Sequence, residues 1–186
     1  MLSYMDGQYP GRVIGAFPCF LHTSEWFLPG PGDFQLYYAD YRPEIQAKFC
    51  ASQGPGCVRA PTPAERSTAA FGNLQASPVA SEFNMFLAQT VSGAIKALVT
   101  AAKEACAGQC ITLVFHGYWF ALADLRLPGS GHLDLVSLLD HPDLDAVASP
   151  YQYISAVRNY SGPLTAHGPF GAAAIRRKPW VFKDGE

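Results

Sequence analysis

A lone carboxylate, Glu25, stands directly before an indole, Trp26, at the end of the stretch Arg12–Trp26, RVIGAFPCFLHTSEW. The stretch opens on a continuous apolar run, Val13-Ile14-Gly15-Ala16-Phe17, of the kind a buried parallel strand shows. A buried strand that delivers an acid beside an aromatic face suits the cleavage of a sugar. The carboxyl can give or take a proton, and a flat ring can stack on a pyranose. The competing reading is a solvated Glu in a strand-to-helix loop.

The elements that would position this acid follow from apolar pattern and turn signals. Leu2–Gly11 is polar with Gly and Pro and reads as a tail before the first strand, Val13–Phe17. His22–Gly32 is a loop that closes on Pro29-Gly30-Pro31-Gly32. Asp40–Glu44 starts a short helix with Ile45 and Phe49 on one face, and Pro63–Arg66 begins another helical turn. The clearest helix is predicted over Ser81–Cys106, with Ser81 as N-cap and Gly108 as stop. Its stripe is Phe83, Phe86, Leu87, Thr90, Ala94, Leu98 and Ala101, widened by Val91, Ile95 and Val99. Ile111–Phe115 is a second strand, again continuously apolar, and runs into His116-Gly117-Tyr118-Trp119. Pro128–Gly131 is a turn and His132–Leu139 a short amphipathic helix. A third strand, Leu144–Ala148, ends in Ser149-Pro150-Tyr151-Gln152-Tyr153, and a fourth, Lys178–Phe182, is followed by Lys183-Asp184-Gly185-Glu186.

Strands alternating with helices predict an α/β fold with parallel strands and helical crossovers. Each strand finishes in aromatic, polar or acidic residues, as the strands of a (β/α) barrel do at the face that carries chemistry. Four strands do not close a barrel, which takes about 250 residues. The expectation is therefore a single partial TIM barrel domain over 1–186.

Composition narrows the function classes. Hydrophobic residues make up 49% and charged residues 15% of the chain, which places it among ordered, well-buried domains. A net charge of -2 gives no electrostatic footprint for nucleic acid or an anionic membrane. The longest apolar run, Ile111–Ala123, is too short to span a bilayer and is interrupted by His116. Five cysteines, at 19, 50, 57, 106 and 110, suggest no disulfide framework. Cys106 and Cys110 stand at the wide end of zinc-ligand spacing and Cys50 and Cys57 beyond it, so no metal site is expected. With no signal pattern at the N-terminus, the odd cysteine count points to the cytoplasm. No cofactor is expected, and homo-oligomerisation is left open.

Several of these pieces together carry a family resemblance. RVIGAF…SEWFLPG, PTPAER, KALVTAAKEA, VFHGYWFALA, GHLDLVSLLDHPDLDAVASPYQY and RRKPWVF occur in this order along nearly the whole chain. The chain so read resembles the beta-galactosidase-like glycoside hydrolases, the family 42 type and its relatives. The most specific parts are Ser-Glu-Trp-Phe and the block from Gly131 to Tyr153. The resemblance implies a TIM barrel with retaining chemistry, of which this chain would span strands four to seven, the first three and the last being absent. It implies Glu25 as acid/base and a carbohydrate as partner. It also implies a nucleophilic Glu after the fourth strand. Lys183 stands where that Glu is expected, with Asp184 one place and Glu186 three places later. Lys183 does not form a glycosyl ester, so Asp184 or Glu186 is the candidate nucleophile, unless the chain is cut before the motif completes or the nucleophile has been lost.

On that reading, Tyr118, Trp119, Tyr151, Tyr153 and Trp26 line the sugar site, and His22 and His116 lie near strand ends where they can bond hydroxyls. Packing of the same rings, and structural roles for the histidines, are the competing readings. Asp143 and Asp145 precede the third strand, at the opposite face, and read as turn and cap residues. An open half-barrel has exposed sheet edges and half a pocket, so little turnover is expected from these 186 residues alone. The rival class is a carbohydrate-binding or structural barrel piece with no competent acid pair.

Overall fold

The computed structural model describes residues 2–21, 25–28, 41–68, 77–120, 127–150 and 168–183. Its elements in chain order are α1 (Leu2–Gln8), β1 (Gly15–Ala16), α2 (Pro43–Gln53), α3 (Pro63–Thr68), α4 (Pro78–Ala105), β2 (Ile111–Phe115), α5 (Leu127–Ser130), α6 (Leu135–Leu139), β3 (Ala146–Pro150), α7 (Phe170–Ile175) and β4 (Trp180–Lys183).

Among the described residues four strands form one sheet in the order β1-β2-β3-β4, and every neighbouring pair is parallel. Gly15 faces Ile111, Leu113 faces Ala146, and Val147 faces Trp180. An α/β fold with a four-stranded parallel sheet is what alternating strands and helices require, since parallel neighbours need a crossover between them. All C-terminal strand ends consequently open onto one rim.

β2 occupies the predicted residues. Its Thr112 and Val114 are buried, and α4 packs against this strand. Leu113 and Phe115, on the other face, are only half-buried, so β2 is less enclosed than its apolar run suggests. β3 is buried at all five positions. β1 is shorter than predicted: only Gly15 and Ala16 pair with β2, and Ile14 is 80% exposed.

α4 begins earlier than predicted. Ser77 is its N-cap residue and Pro78 its first residue, the position where a missing N–H costs nothing. Gly108, at φ +77, follows the helix end and gives its N–H to the Lys103 carbonyl at 2.8 Å. The buried rows are Phe83, Leu87, Val91, Ile95 and Val99, with Asn84, Ala88 and Ser92 alongside. Leu98, at 45%, and Ala101 lie outside that face and are exposed. Over its most apolar 18 residues α4 has a mean hydropathy of 1.3, so it is long and apolar enough to cross a membrane. The sequence expectation of no such stretch is corrected there; in this fold, the apolar rows of α4 form the core against β2, Leu135, Leu138 and Leu139.

α3 is set by a capping box. Thr62 Oγ1 accepts the Glu65 N–H at 3.3 Å, and Glu65 Oε2 accepts the Thr62 N–H at 2.6 Å. Arg59 adds two bonds of 2.8 Å to the same carboxylate, and together these hold Glu65 down to a pKa of about 2. Leu2–Gln8, expected as tail, is helical.

The cysteines pair. Cys50 bonds Cys57, and Cys106 bonds Cys110, with Cα separations of 5.0 and 5.9 Å; Cys19 is exposed and outside both disulfides. The expectation of no disulfides is thus corrected. Each bond clips a helix end to the turn that follows it, a local arrangement that regular-framework reasoning does not reach. Such bonds persist in oxidising compartments. Among the described residues no group of acidic, His or Cys side chains is placed to hold a metal.

Candidate functional site at the carboxyl ends of the strands

Glu25 reaches the rim above β2. The Tyr118 hydroxyl donates to Glu25 Oε1 at 3.0 Å, across 93 positions of sequence. Tyr118 is carried there by β2, whose last residue is Phe115. Glu25 is carried by the loop that leaves β1, and it is half-buried. The contact therefore joins the ends of two neighbouring parallel strands.

Trp26 does not present a sugar-binding face. It is 1% exposed, belongs to the main core cluster, and gives its indole N–H to the Pro18 carbonyl at 3.0 Å. This corrects its assignment as a stacking platform. The indole serves instead as an anchor. Its backbone sits at φ +66, a left-handed conformation that for a bulky residue costs on the order of 1–3 kcal/mol. Burying the ring offsets that cost and fixes the turn that carries Glu25.

Beneath Glu25 three rings stack. Phe27 lies on His132 with centroids 4.4 Å apart and planes at 11°, and His132 lies on His116 at 4.4 Å and 8°. Tyr118 meets the edges of Phe27 and His132 at 5.3 and 5.2 Å. Both histidines are fully buried. Burial pushes the His116 pKa down to about 4, against the opposing pull of the Gly131 backbone and the Asp134 carboxylate. Burial, and then the neighbouring His116, hold His132 well below the usual imidazole range, with its bond to the Glu25 backbone opposing them. Both rings are neutral near pH 7 on this account. Among the described residues neither buried His116 ring nitrogen has a partner that meets hydrogen-bond geometry, although the Gly131 backbone lies close enough to act on the ring.

His132 bonds through every polar group it has. Its Nε2 is 2.9 Å from the Glu25 carbonyl, and its Nδ1 is 3.5 Å from the Tyr118 N–H. Its carbonyl accepts the Trp119 indole N–H at 2.8 Å, and its own N–H donates to Ser130 Oγ at 3.1 Å. The Ser130 carbonyl accepts the Leu28 N–H at 3.0 Å, a second tie to the Glu25 loop. The preceding Gly131 sits at φ +90, and a Cβ there would fall 3.0 Å from Val91 Cγ2 and 3.3 Å from Leu28 Cγ. Only glycine meets both conditions, which lets the chain dive under the rim just before His132. The helix predicted over His132–Leu139 accordingly starts only at Leu135. Asp134 holds that start by accepting from Ser92 and Ser137.

Of the remaining predicted site residues, Tyr118 is 4% exposed and serves as a partner of Glu25, while Trp119 is half-buried with its N–H committed to His132. His116 is packed rather than aimed at solvent. His22, Tyr151, Tyr153, Asp184 and Glu186 lie outside the described residues. Lys183 ends β4 in register with Pro150, on the same rim as Tyr118. Asp143 and Asp145 are at the other end: Asp145 Oδ2 binds Lys103 Nζ at 2.6 Å and the Thr112 N–H at 2.7 Å, and Asp143 Oδ2 accepts from Thr100 at 2.5 Å. Their structural reading holds. A cavity of about 520 Å3 lies between α2 and the start of α4, lined by Phe49, Gln53, Arg59 and Glu82. It holds a paired Arg59–Glu65 and none of the rim residues.

His132 is the residue that sequence reasoning misses. Its spacing reads as part of a helix face; the signal available is Gly-His directly after a turn, with no apolar partner three or four places before it.

Comparison with protein-family models, with curated proteins and with solved structures finds no significant match.

Proposed function

We propose that Glu25 is the acid/base residue of a beta-galactosidase-like retaining glycoside hydrolase, and that β1 to β4 are consecutive strands, four to seven, of a (β/α) barrel. The observation that carries the reading is the Tyr118 Oη–H bond to Glu25 Oε1, which fixes a half-buried carboxyl on the rim where parallel strands end. A sheet whose order follows the chain without reversal supports the barrel arc, since a doubly wound sheet reverses its order at a switch point.

In this reaction the Glu25 carboxyl gives its proton to the glycosidic oxygen as the bond to the anomeric carbon breaks. A second carboxylate, Asp184 or Glu186, takes that carbon as a glycosyl ester. The Glu25 carboxylate then removes a proton from water, which displaces the ester and returns the acid. The pair must stand roughly 5 Å apart for this outcome.

The test is hydrolysis of β-galactosides by the whole gene product and its Glu25→Gln variant. Substrates with poor leaving groups should lose about 10²- to 10⁴-fold in turnover, as removal of a general acid does. An aryl galactoside whose leaving group needs no proton should still form the ester and then stall. Equal turnover by Glu25→Gln and the wild type on alkyl galactosides would remove Glu25 from the role. A second reading, a carbohydrate-binding or structural barrel piece, is favoured by Lys183 at the expected nucleophile position. Galactoside binding without turnover, unaltered by substituting Asp184 and Glu186, would select it.

A further inference from the structure

We propose that His132 is the positioning residue for Glu25, holding the acid through a single neutral tautomer that joins the two strand ends. The proposal rests on the reading of Glu25 as acid/base and adds to it a residue that makes no contact with the carboxyl itself.

The Glu25 carbonyl has only acceptor character, so the 2.9 Å contact requires a proton on His132 Nε2. The Tyr118 N–H has only donor character, so the facing Nδ1 must carry none. The two contacts together specify the Nε2–H neutral imidazole. That one ring thus grips the backbone of Glu25 on one side and the backbone of Tyr118 on the other, while the Tyr118 hydroxyl closes the triangle on the Glu25 carboxyl. Phe27 and His116, stacked on its two faces, leave the ring no room to flip. The groups that face His132 are Glu25 and Phe27 from the β1 loop, His116 and Tyr118 from the end of β2, and Ser130 from α5, with Asp134 near His116. A second proton on the ring would turn Nδ1 into a donor aimed at the Tyr118 N–H, and would part the two strand ends. Burial, which keeps the ring uncharged, is consistent with the tautomer that the contacts demand.

The experiment compares His132→Leu, which removes both nitrogens, with His132→Gln, whose amide N–H can replace the Nε2 donor. In nitrogen-15 NMR of the wild type at neutral pH, the His132 ring should show the Nε2–H pattern. The Leu variant should move the Glu25 carbonyl and Tyr118 ring signals, and the Gln variant should leave them near their wild-type positions. In β-galactoside hydrolysis, the Leu variant should lose up to about 10²-fold in kcat with KM little changed, the size of effect expected when a catalytic group is misplaced by an ångström. The Gln variant should recover most of it. An Nδ1–H pattern, a charged ring at neutral pH, or unchanged Glu25 signals in the Leu variant overturns the proposal. If the Leu variant fails to fold, the wild-type tautomer decides. If the NMR outcome is as expected but the wild type turns over no galactoside, the acid/base reading of Glu25 falls while the grip of His132 on its loop stands.

Discussion

Acid should loosen the site before it unfolds anything else, and His116 gives the size of the effect. Its imidazole is neutral in the fold, with the pKa lowered to about 4 by burial, against an ordinary value of about 6.5 in the unfolded chain. Below about pH 6.5 the unfolded chain therefore binds a proton that the folded chain does not, so stability is full above that value and falls with acid until about pH 4. Each pH unit in that window costs ~1.4 kcal/mol once the unfolded chain is protonated, so His116 alone removes about 2 kcal/mol between pH 7.5 and pH 5. His132, displaced in the same direction, adds to the loss over the same window. The assay is urea unfolding, followed by tryptophan fluorescence and circular dichroism, of the wild type and of His116→Leu at several pH values in that range. Leucine removes two buried nitrogens that have no hydrogen-bond partner, so the variant should be no less stable than the wild type near pH 7.5. By pH 5 it should be ahead by at least about 2 kcal/mol, because the remaining groups are shared and subtract out, while losing His116 also removes one of the causes that hold His132 down. Parallel stability curves for the two proteins would show that His116 is not held neutral, and the account of the stacked rings would fail with it.

Two further outcomes test the frame around the site. Mass spectrometry of the unreduced protein should show Cys50–Cys57 and Cys106–Cys110 with Cys19 outside both disulfides, and the Cys50→Ser, Cys57→Ser double variant should lose about 2–3 kcal/mol in urea unfolding; two extra reactive thiols in the native protein would refute the pairing. Asn84→Leu should cost about 1.5–3 kcal/mol, because Asn84 Oδ1 accepts from Arg66 Nε at 2.7 Å in the interior and the guanidinium would keep its charge with that acceptor gone; an unchanged unfolding midpoint would show the bond to be dispensable.

The sheet was legible because a continuous apolar run such as Ile111–Phe115 leaves few options: a strand paired with neighbours, ending where His116 and Gly117 begin, though one less enclosed than the run suggests. The long helix was legible for a similar reason, since Phe83, Leu87, Val91, Ile95 and Val99 repeat every fourth residue. Its true first residue was not, because Ser81 and Ser77 are equally good caps on paper and only Pro78 at the first position separates them. Placing Glu25 and Tyr118 at strand ends of one face needed nothing beyond parallel strands. Whether Trp26 turned outward or inward depended on the left-handed backbone at that residue, which neighbouring residue types do not reveal. The role of His132 depends on donors and acceptors brought in from two other segments. The disulfides escape a sequence reading because each joins cysteines across one local turn, where the distance is a matter of turn shape rather than spacing.

The unreversed strand order also limits where any ligand can go. In sheets whose order reverses, two adjacent loops leave on opposite faces and a crevice opens between them of its own accord. Among the described residues β1, β2, β3 and β4 succeed one another with no such parting, so the strand order by itself opens no such crevice. On the proposed reading, a ligand at the rim would rest on top of the strand ends and be walled in by the segments that follow each strand. If the rim is the binding site proposed above, selectivity would belong to its loops, and exchanging them should alter what is bound while the sheet beneath stays as it is.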